Sequence, residues 1–145
     1  MTPAARDEGS APIEFVFLAV LLLVPLVYVL LAAFEVQRAA YAASAAAREA
    51  GRGFVTSGSG GDAELRAQAA ADVALRDHGL DAGSVRLTLA CSAQPCLTPG
   101  AAVTVRVDAA VPLPLVPALL GRPVASVAVH AEHREVVDVY AAGRP

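Results

Sequence analysis

Apolar positions run without a break from Phe15 to Phe34, and none of these twenty residues is charged. A bilayer's hydrocarbon core is about 30 Å thick and a helix rises about 1.5 Å per residue, so about twenty apolar residues span it. The run predicts a transmembrane helix. Pro25 sits near its middle, where a membrane helix tolerates proline, usually as a kink. Beyond Phe34 the pattern stays helical but turns mixed and Ala-rich, through EVQRAAYAASAAAREAGR. Ala, Glu, Gln and Arg are good helix formers. Phe34, Tyr41, Ala45 and Ala46 suggest a small-residue stripe, and Gly51 and Gly53 supply a stop. The spacing predicts one helix over 13–53, about 60 Å long, half in a bilayer and half standing above it. That upper half reads as a stalk or as a surface for close helix packing.

Residues 54–61 read as a Gly/Ser linker. Asp62 is the expected N-cap of a second helix, with Leu65, Ala69, Val73 and Leu75 as its apolar face and Gly79 as its end. The period then changes from helical to two. Val85, Leu87 and Leu89 alternate with Arg86, Thr88 and Ala90. Val103, Val105, Val107 and Ala109 alternate with Thr104, Arg106 and Asp108. Between these strands CSAQPCLTPG forms the turn, so the two read as a hairpin. Pro112, Pro114, Pro117 and Pro123 exclude a central strand in the next segment, which is expected to be an irregular apolar connection with a helical turn at 118–121. A third strand is expected within 124–140, with Val127, Val129 and Ala131 on one face. The fold class is α+β: a long N-terminal transmembrane helix, then a small domain over 62–145 of one helix on a three-stranded antiparallel sheet.

Composition narrows the function. The chain has 145 residues, 56% of them hydrophobic, and a net charge of −3. No basic face for nucleic acid emerges from this balance. All eleven basic residues are Arg, which with the abundant Ala reads as a compositional bias, not a signal. Cys91 and Cys96 suit a disulfide in an oxidising compartment; as zinc ligands they make half a tetrahedral shell with no His or Cys nearby to complete it. His130 and Glu132 share a strand face and His133 points to the other, so the histidines read as a solvated strand edge and no metal is expected. No Ser-His-Asp or Cys-His constellation, no phosphate loop at the linker glycines and no paired-carboxylate site is present in pattern. Neither an enzyme nor a cofactor is expected.

The first twelve residues form a short polar tip. Arg6 is offset by Asp7 and Glu8, and the apolar run is too long for a conventional signal peptide. Glu14 stands at the mouth of the apolar helix, where a carboxylate needs the headgroup region or a partner. The stretch Gly9-Ser10-Ala11-Pro12-Ile13-Glu14-Phe15, leading into an unbroken apolar helix, resembles the processing site of type IV pilin-like proteins. The continuation, with its Ala47-Arg48-Glu49 element, and the later order of strand, Pro-rich connection and strand are similar to the TadE-like group of tight-adherence (Flp) pilus systems. The resemblance covers most of the chain and is strongest over 9–53.

That resemblance implies cleavage by a prepilin peptidase between Gly9 and Ser10, and docking between subunits through Glu14 and Phe15. Glu14, then the fifth residue of the mature chain, would pair with the new amine of a neighbour. It implies a pilin-like minor component or assembly factor of the cytoplasmic membrane, with membrane lipid, pilin-like subunits and other pilus assembly proteins as partners. Arg38, Arg48 and Arg52 against Arg6 favour a cytoplasmic C-terminus by the positive-inside rule. The cysteine pair and the resemblance favour an extracytoplasmic one, which is the expectation taken. The alternative is a generic single-pass, membrane-anchored extracytoplasmic binding domain that is never processed.

Overall fold

The computed structural model describes residues 11–81, 83, 85–112 and 126–140. Five elements follow in order: α1 (Ala11–Val55), α2 (Gly60–Asp77), β1 (Val85–Cys91), β2 (Ala102–Pro112) and β3 (Ser126–Val136). The architecture is α+β. Contacts divide the chain into two compact units, Met1–Phe34 and Glu35–Pro145.

In the first unit α1 is apolar on all sides, and the 18-residue window that carries its hydropathy is 0% buried. The helix is near the N-terminus and long and apolar enough to span a membrane. Pro25 lies inside it, which removes one backbone donor and leaves the Leu21 carbonyl without its helical partner. The helix begins at Ala11, two residues earlier than the sequence pattern suggests.

The second unit is built around the remainder of α1. Ala39, Ala42, Ala43, Ala46, Ala47, Ala50 and Phe54 are buried, at alternating spacings of three and one and a last step of four. That is one face of a 3.6-residue helix. The face packs into a core shared with α2 and with Val103, Val105 and Val107 of β2, each of which is 0% exposed. The Ala-rich stretch is therefore no free stalk. It is the central helix of the globular unit, which begins well before residue 62. Phe34 and Tyr41 stay exposed, so the stripe expected with Ala45 and Ala46 is not one face.

Glycine explains why α1 does not stop where expected. At Gly51 an added Cβ would lie 3.3 Å from Glu135 Cβ, and at Gly53 one would lie 3.1 Å from the Arg66 carbonyl oxygen. These glycines admit β3 and α2 to close range, and the helix runs on to Val55. Gly53 lies by Arg66 near the start of α2, and Gly79, beyond its end, lies by Arg38, so α2 is antiparallel to this part of α1.

The connection contracts to 56–59, and Ser59, not Asp62, caps α2. The Ser59 hydroxyl accepts from the Asp62 backbone N–H at 3.3 Å and donates to Asp62 Oδ2 at 2.7 Å. Asp62 instead supplies first-turn negative charge. The core face of α2 is Ala63, Ala67, Ala71, Ala74 and Leu75, whereas Leu65 and Val73 point to solvent. Alanines fill this face because two helices and a sheet meet there at close range.

The sheet is antiparallel in the order β1-β2-β3. Val85, Leu87 and Leu89 of β1, Val103 to Val111 at alternate positions of β2, and Val127, Val129 and Ala131 of β3 form its inner face. β2 reaches Pro112, which ends the strand. β3 ends at Val136, and Val137, 1% exposed, is fixed by its N–H to the Ala101 carbonyl and its carbonyl to the Gly100 N–H. The Pro-rich connection and the helical turn expected at 118–121 lie outside the described residues.

Candidate functional site

The residues expected to carry function are scattered along the chain. Glu14 falls in the first turn of α1, where a carboxylate suits the positive end of the helix dipole, and both Glu14 and Phe15 are exposed. Gly9 and Ser10 lie outside the described residues. Tyr28 is half-buried, and its hydroxyl is shielded without a hydrogen-bond partner among the described residues.

Cys91, the last residue of β1, and Cys96 are joined by a disulfide with a Cα–Cα distance of 5.3 Å. It closes the loop between β1 and β2. Inside that connection Ser92 Oγ accepts from the Ala102 N–H at 2.8 Å, and the Thr98 hydroxyl donates to the Pro95 carbonyl at 2.6 Å. Both sulfurs pack on the edge of the core, so the bridge is a structural clasp.

The densest polar cluster joins α1 to the end of β3. His133 Nε2 lies 2.9 Å from Glu135 Oε2. Register places His133 opposite Val105 and Glu135 opposite Val103, so both belong to the inner face, against Gly51. They line a cleft of 530 Å³ with Arg48, Glu49, Arg52 and Asp138. His133 is thus half-buried on the helix side, not part of a solvated edge. The period-two alternation already held this signal, because 133 and 135 continue the face of 127, 129 and 131. Arg48 donates to Ser44 Oγ at 3.1 Å, and Asp138 accepts from the Tyr140 N–H. The cleft mixes both signs of charge and converges no three ligands; among the described residues no group of His, Cys, Asp or Glu could hold a metal ion.

The outer face of the sheet carries charges of alternating sign. Arg86, Asp108 and His130 form one cross-strand row, and Thr88, Arg106 and Glu132 the next. Arg106 Nε donates to both Asp108 oxygens at 3.1 Å. That hydrogen bond, helped by the positive field of His130 and Arg86, holds the Asp108 carboxyl below its ordinary range, and it raises Arg106 in turn. This face is polar and solvated, as one side of an antiparallel sheet commonly is. None of these clusters pairs a nucleophile with a base. No protein-family model, curated protein or solved structure matches this chain.

Proposed function

We propose that the chain is a pilin-like minor component or assembly factor of a tight-adherence (Flp, type IV-like) pilus system. The apolar part of α1 anchors it in the cytoplasmic membrane, with the N-terminus cytoplasmic and the α+β unit outside. The observation that carries the reading is the contrast along one helix: the apolar run over 15–34 is largely exposed all round, whereas from 39 on one face of the helix is buried in a folded unit. Exposed apolar surface on this scale needs lipid or other apolar helices to cover it. The resemblance at 9–15 supports the pilin-like part of the reading. The disulfide supports an extracytoplasmic place for the folded unit.

In this reading a prepilin peptidase cuts after Gly9 and frees the amine of Ser10. The Glu14 carboxylate, at the lip of the anchor, receives the amine of a neighbouring subunit. Such a pair offsets the cost of a carboxylate at membrane depth.

The test is the intact mass and N-terminal sequence of the protein from its native membrane, beside Gly9→Ala. A mature chain starting at Ser10, absent in the variant, is expected. A chain starting at Met1 or Thr2 in both removes the processing step and leaves a permanently anchored extracytoplasmic domain.

A further inference from the structure

Among the described residues the sheet ends in two strand edges, β1 and β3, that pair with β2 alone. Val137 donates its N–H to the Ala101 carbonyl, so the odd positions of β3 face β2, by the alternation of an antiparallel ladder. The even positions, 126 to 136, therefore turn their N–H and C=O outward. The Ser92 N–H donates to the Ala102 carbonyl, so the even positions of β1 face β2, and Val85, Leu87, Leu89 and Cys91 turn theirs outward. Neither strand contains a proline that would remove an edge donor. Burial agrees with two open edges. Val103, Val105 and Val107 of central β2 are fully buried, whereas Val85, Leu87 and Leu89 of β1 and Val127, Val129 and Ala131 of β3 are half-buried.

The two edges fit one another. Both strands are antiparallel to β2, so they run parallel to each other. A second copy displaced sideways, without reversal, brings its β1 against β3 and continues the sheet. In a parallel pair, a residue whose backbone faces the partner strand sits beside one whose backbone faces away, and bonds to that residue's two neighbours. The even positions of β3 and of β1 meet this requirement and keep both outer faces on one side. Glu132 is the only carboxylate on the outer face of β3, so one alignment sets Arg86 against an opposite charge. Thr88 then lies beside Arg134 and Ala90 beside Val136. The Glu132 N–H reaches the Val85 carbonyl, and the Glu132 carbonyl reaches the Leu87 N–H. Arg134 and Val136 repeat this along Leu87, Leu89 and Cys91. We propose that β3 binds β1 of a second copy of this chain, in parallel, with Glu132 beside Arg86 of that copy.

Charge continues the pattern already present within one sheet. Across the new boundary the outer row reads Arg106, Glu132, Arg86, Asp108 and His130, alternating in sign. Moving Arg86 by two residues in either direction would set it against His130 or Arg134. Arg86 and Glu132 are both exposed, and neither makes a hydrogen bond or ion pair among the described residues. On the inner face Val85 meets Ala131, and Leu87 and Leu89 lie along the His133 and Glu135 side chains. Sheet twist, about 20–25° per strand, turns the second copy by about 60–75° without reversing it. Two chains rooted in one membrane can therefore pair if each helix tilts by about 30–35°, within the range that membrane helices adopt.

The inference depends neither on the anchor nor on N-terminal processing. Its test is disulfide cross-linking of the full chain in detergent, which reads the register directly. Thr88→Cys and Arg134→Cys are register partners and leave Glu132 and Arg86 in place. Ala128→Cys lies six residues from the partner position, about 20 Å away, whereas a disulfide needs Cβ atoms within about 4.5 Å. The native cysteines are already joined, and peptide mass mapping identifies the new bridge. All three positions are exposed, and circular dichroism checks that each variant folds. The mixture of Thr88→Cys with Arg134→Cys is expected to cross-link about tenfold faster than that of Thr88→Cys with Ala128→Cys. Equal rates, or faster bridging between Ala128→Cys and Arg134→Cys (β3 against a reversed β3), would overturn the pairing. Sedimentation equilibrium needs no cysteine variant. Glu132→Gln should weaken association of the full chain about two- to fivefold, the range of an exposed ion pair. An unchanged constant, or an unaltered chain that stays monomeric up to about 1 mM, would equally overturn it.

Discussion

Gly51 of α1 and Glu135 of β3 approach so closely that a Cβ on Gly51 would lie 3.3 Å from Glu135 Cβ. Two glycines on this helix make opposite predictions. At Gly51 the obstacle is Glu135 Cβ, so the backbone of the edge strand β3 must give by a few tenths of an ångström. The gain from replacing a helical Gly, about 1 kcal/mol, then offsets the crowding, and Gly51→Ala should shift stability by less than about 1 kcal/mol. At Gly53 the obstacle is the Arg66 backbone carbonyl at 3.1 Å, which cannot yield without moving α2. Gly53→Ala should cost about 1–3 kcal/mol despite its better helix propensity. Urea denaturation of both variants checks the contrast.

The buried alanine face of α1 predicts a volume asymmetry. Ala46, 0% exposed, lies in the core, whereas Tyr41 is 70% exposed. Ala46→Leu should lose about 1–3 kcal/mol by overpacking, and Tyr41→Ala should stay within about 0.5 kcal/mol. Thermal melts of the two variants read this directly. Equal effects would mean that the face is misassigned.

The cap of α2 belongs to Ser59. Ser59→Ala should cost about 1 kcal/mol, whereas Asp62→Asn, which keeps a hydrogen-bonding side chain and loses only charge near the helix N-terminus, should cost less, about 0.3–1 kcal/mol. Denaturation midpoints at low ionic strength separate the two.

Asp108 ties the outer face of the sheet to pH. Its carboxyl is held below the ordinary range chiefly by the hydrogen bond from Arg106. A depressed folded-state pKa means that the contribution is fully present above the unfolded-state value of about 3.9 and is lost as pH falls through the folded-state value. Carboxyl NMR titration should show Asp108 ionising below a free aspartate, and Arg106→Gln should move that titration upward. An unmoved titration in the variant would assign the shift to another source.

Reducing Cys91–Cys96 should destabilise the second unit by about 2 kcal/mol, the size expected for a short closed loop. Melts with and without reductant measure it, and Cys91→Ser/Cys96→Ser should melt like the reduced protein.

Much of the architecture was legible as pattern. The twenty uncharged residues marked an apolar helix, and the alternation in 85–90 and 103–109 gave the inner faces of β1 and β2 over those positions, while Cys91, Val111 and Pro112 extend the strands into what read as turn and connection. What misled was alanine. It is at once a helix former, a surface residue and a core residue, so its periodicity at 39, 42, 43, 46, 47 and 50 does not stand out against Tyr41 or Phe34 on a hydropathy count. The same ambiguity hid the core face of α2 beneath the larger but exposed Leu65 and Val73. Gly51 and Gly53 read locally as a helix stop. Their use in close packing depends on β3 and α2, which are distant in sequence. His133 and Glu135 were readable from the strand period, but a polar pair on an inner face is legible only once Gly51 is seen to make room for it. The stretch around Gly9 carries the proposed processing step on sequence alone.

The burial of α1 from Ala39 onward also fixes where this protein can be cut. A fragment beginning at Asp62 would keep every strand and nearly all of α2, yet lose the seven side chains that α1 contributes to the core. Its sheet and α2 would lose the helix packed between them in one core, and it should be insoluble or unfolded. A fragment beginning at Glu35 sheds all of the apolar run yet forfeits no buried residue. Solubility and foldedness therefore separate at a single peptide bond, Phe34–Glu35, and any enzyme that released the second unit intact would have to cleave close to it.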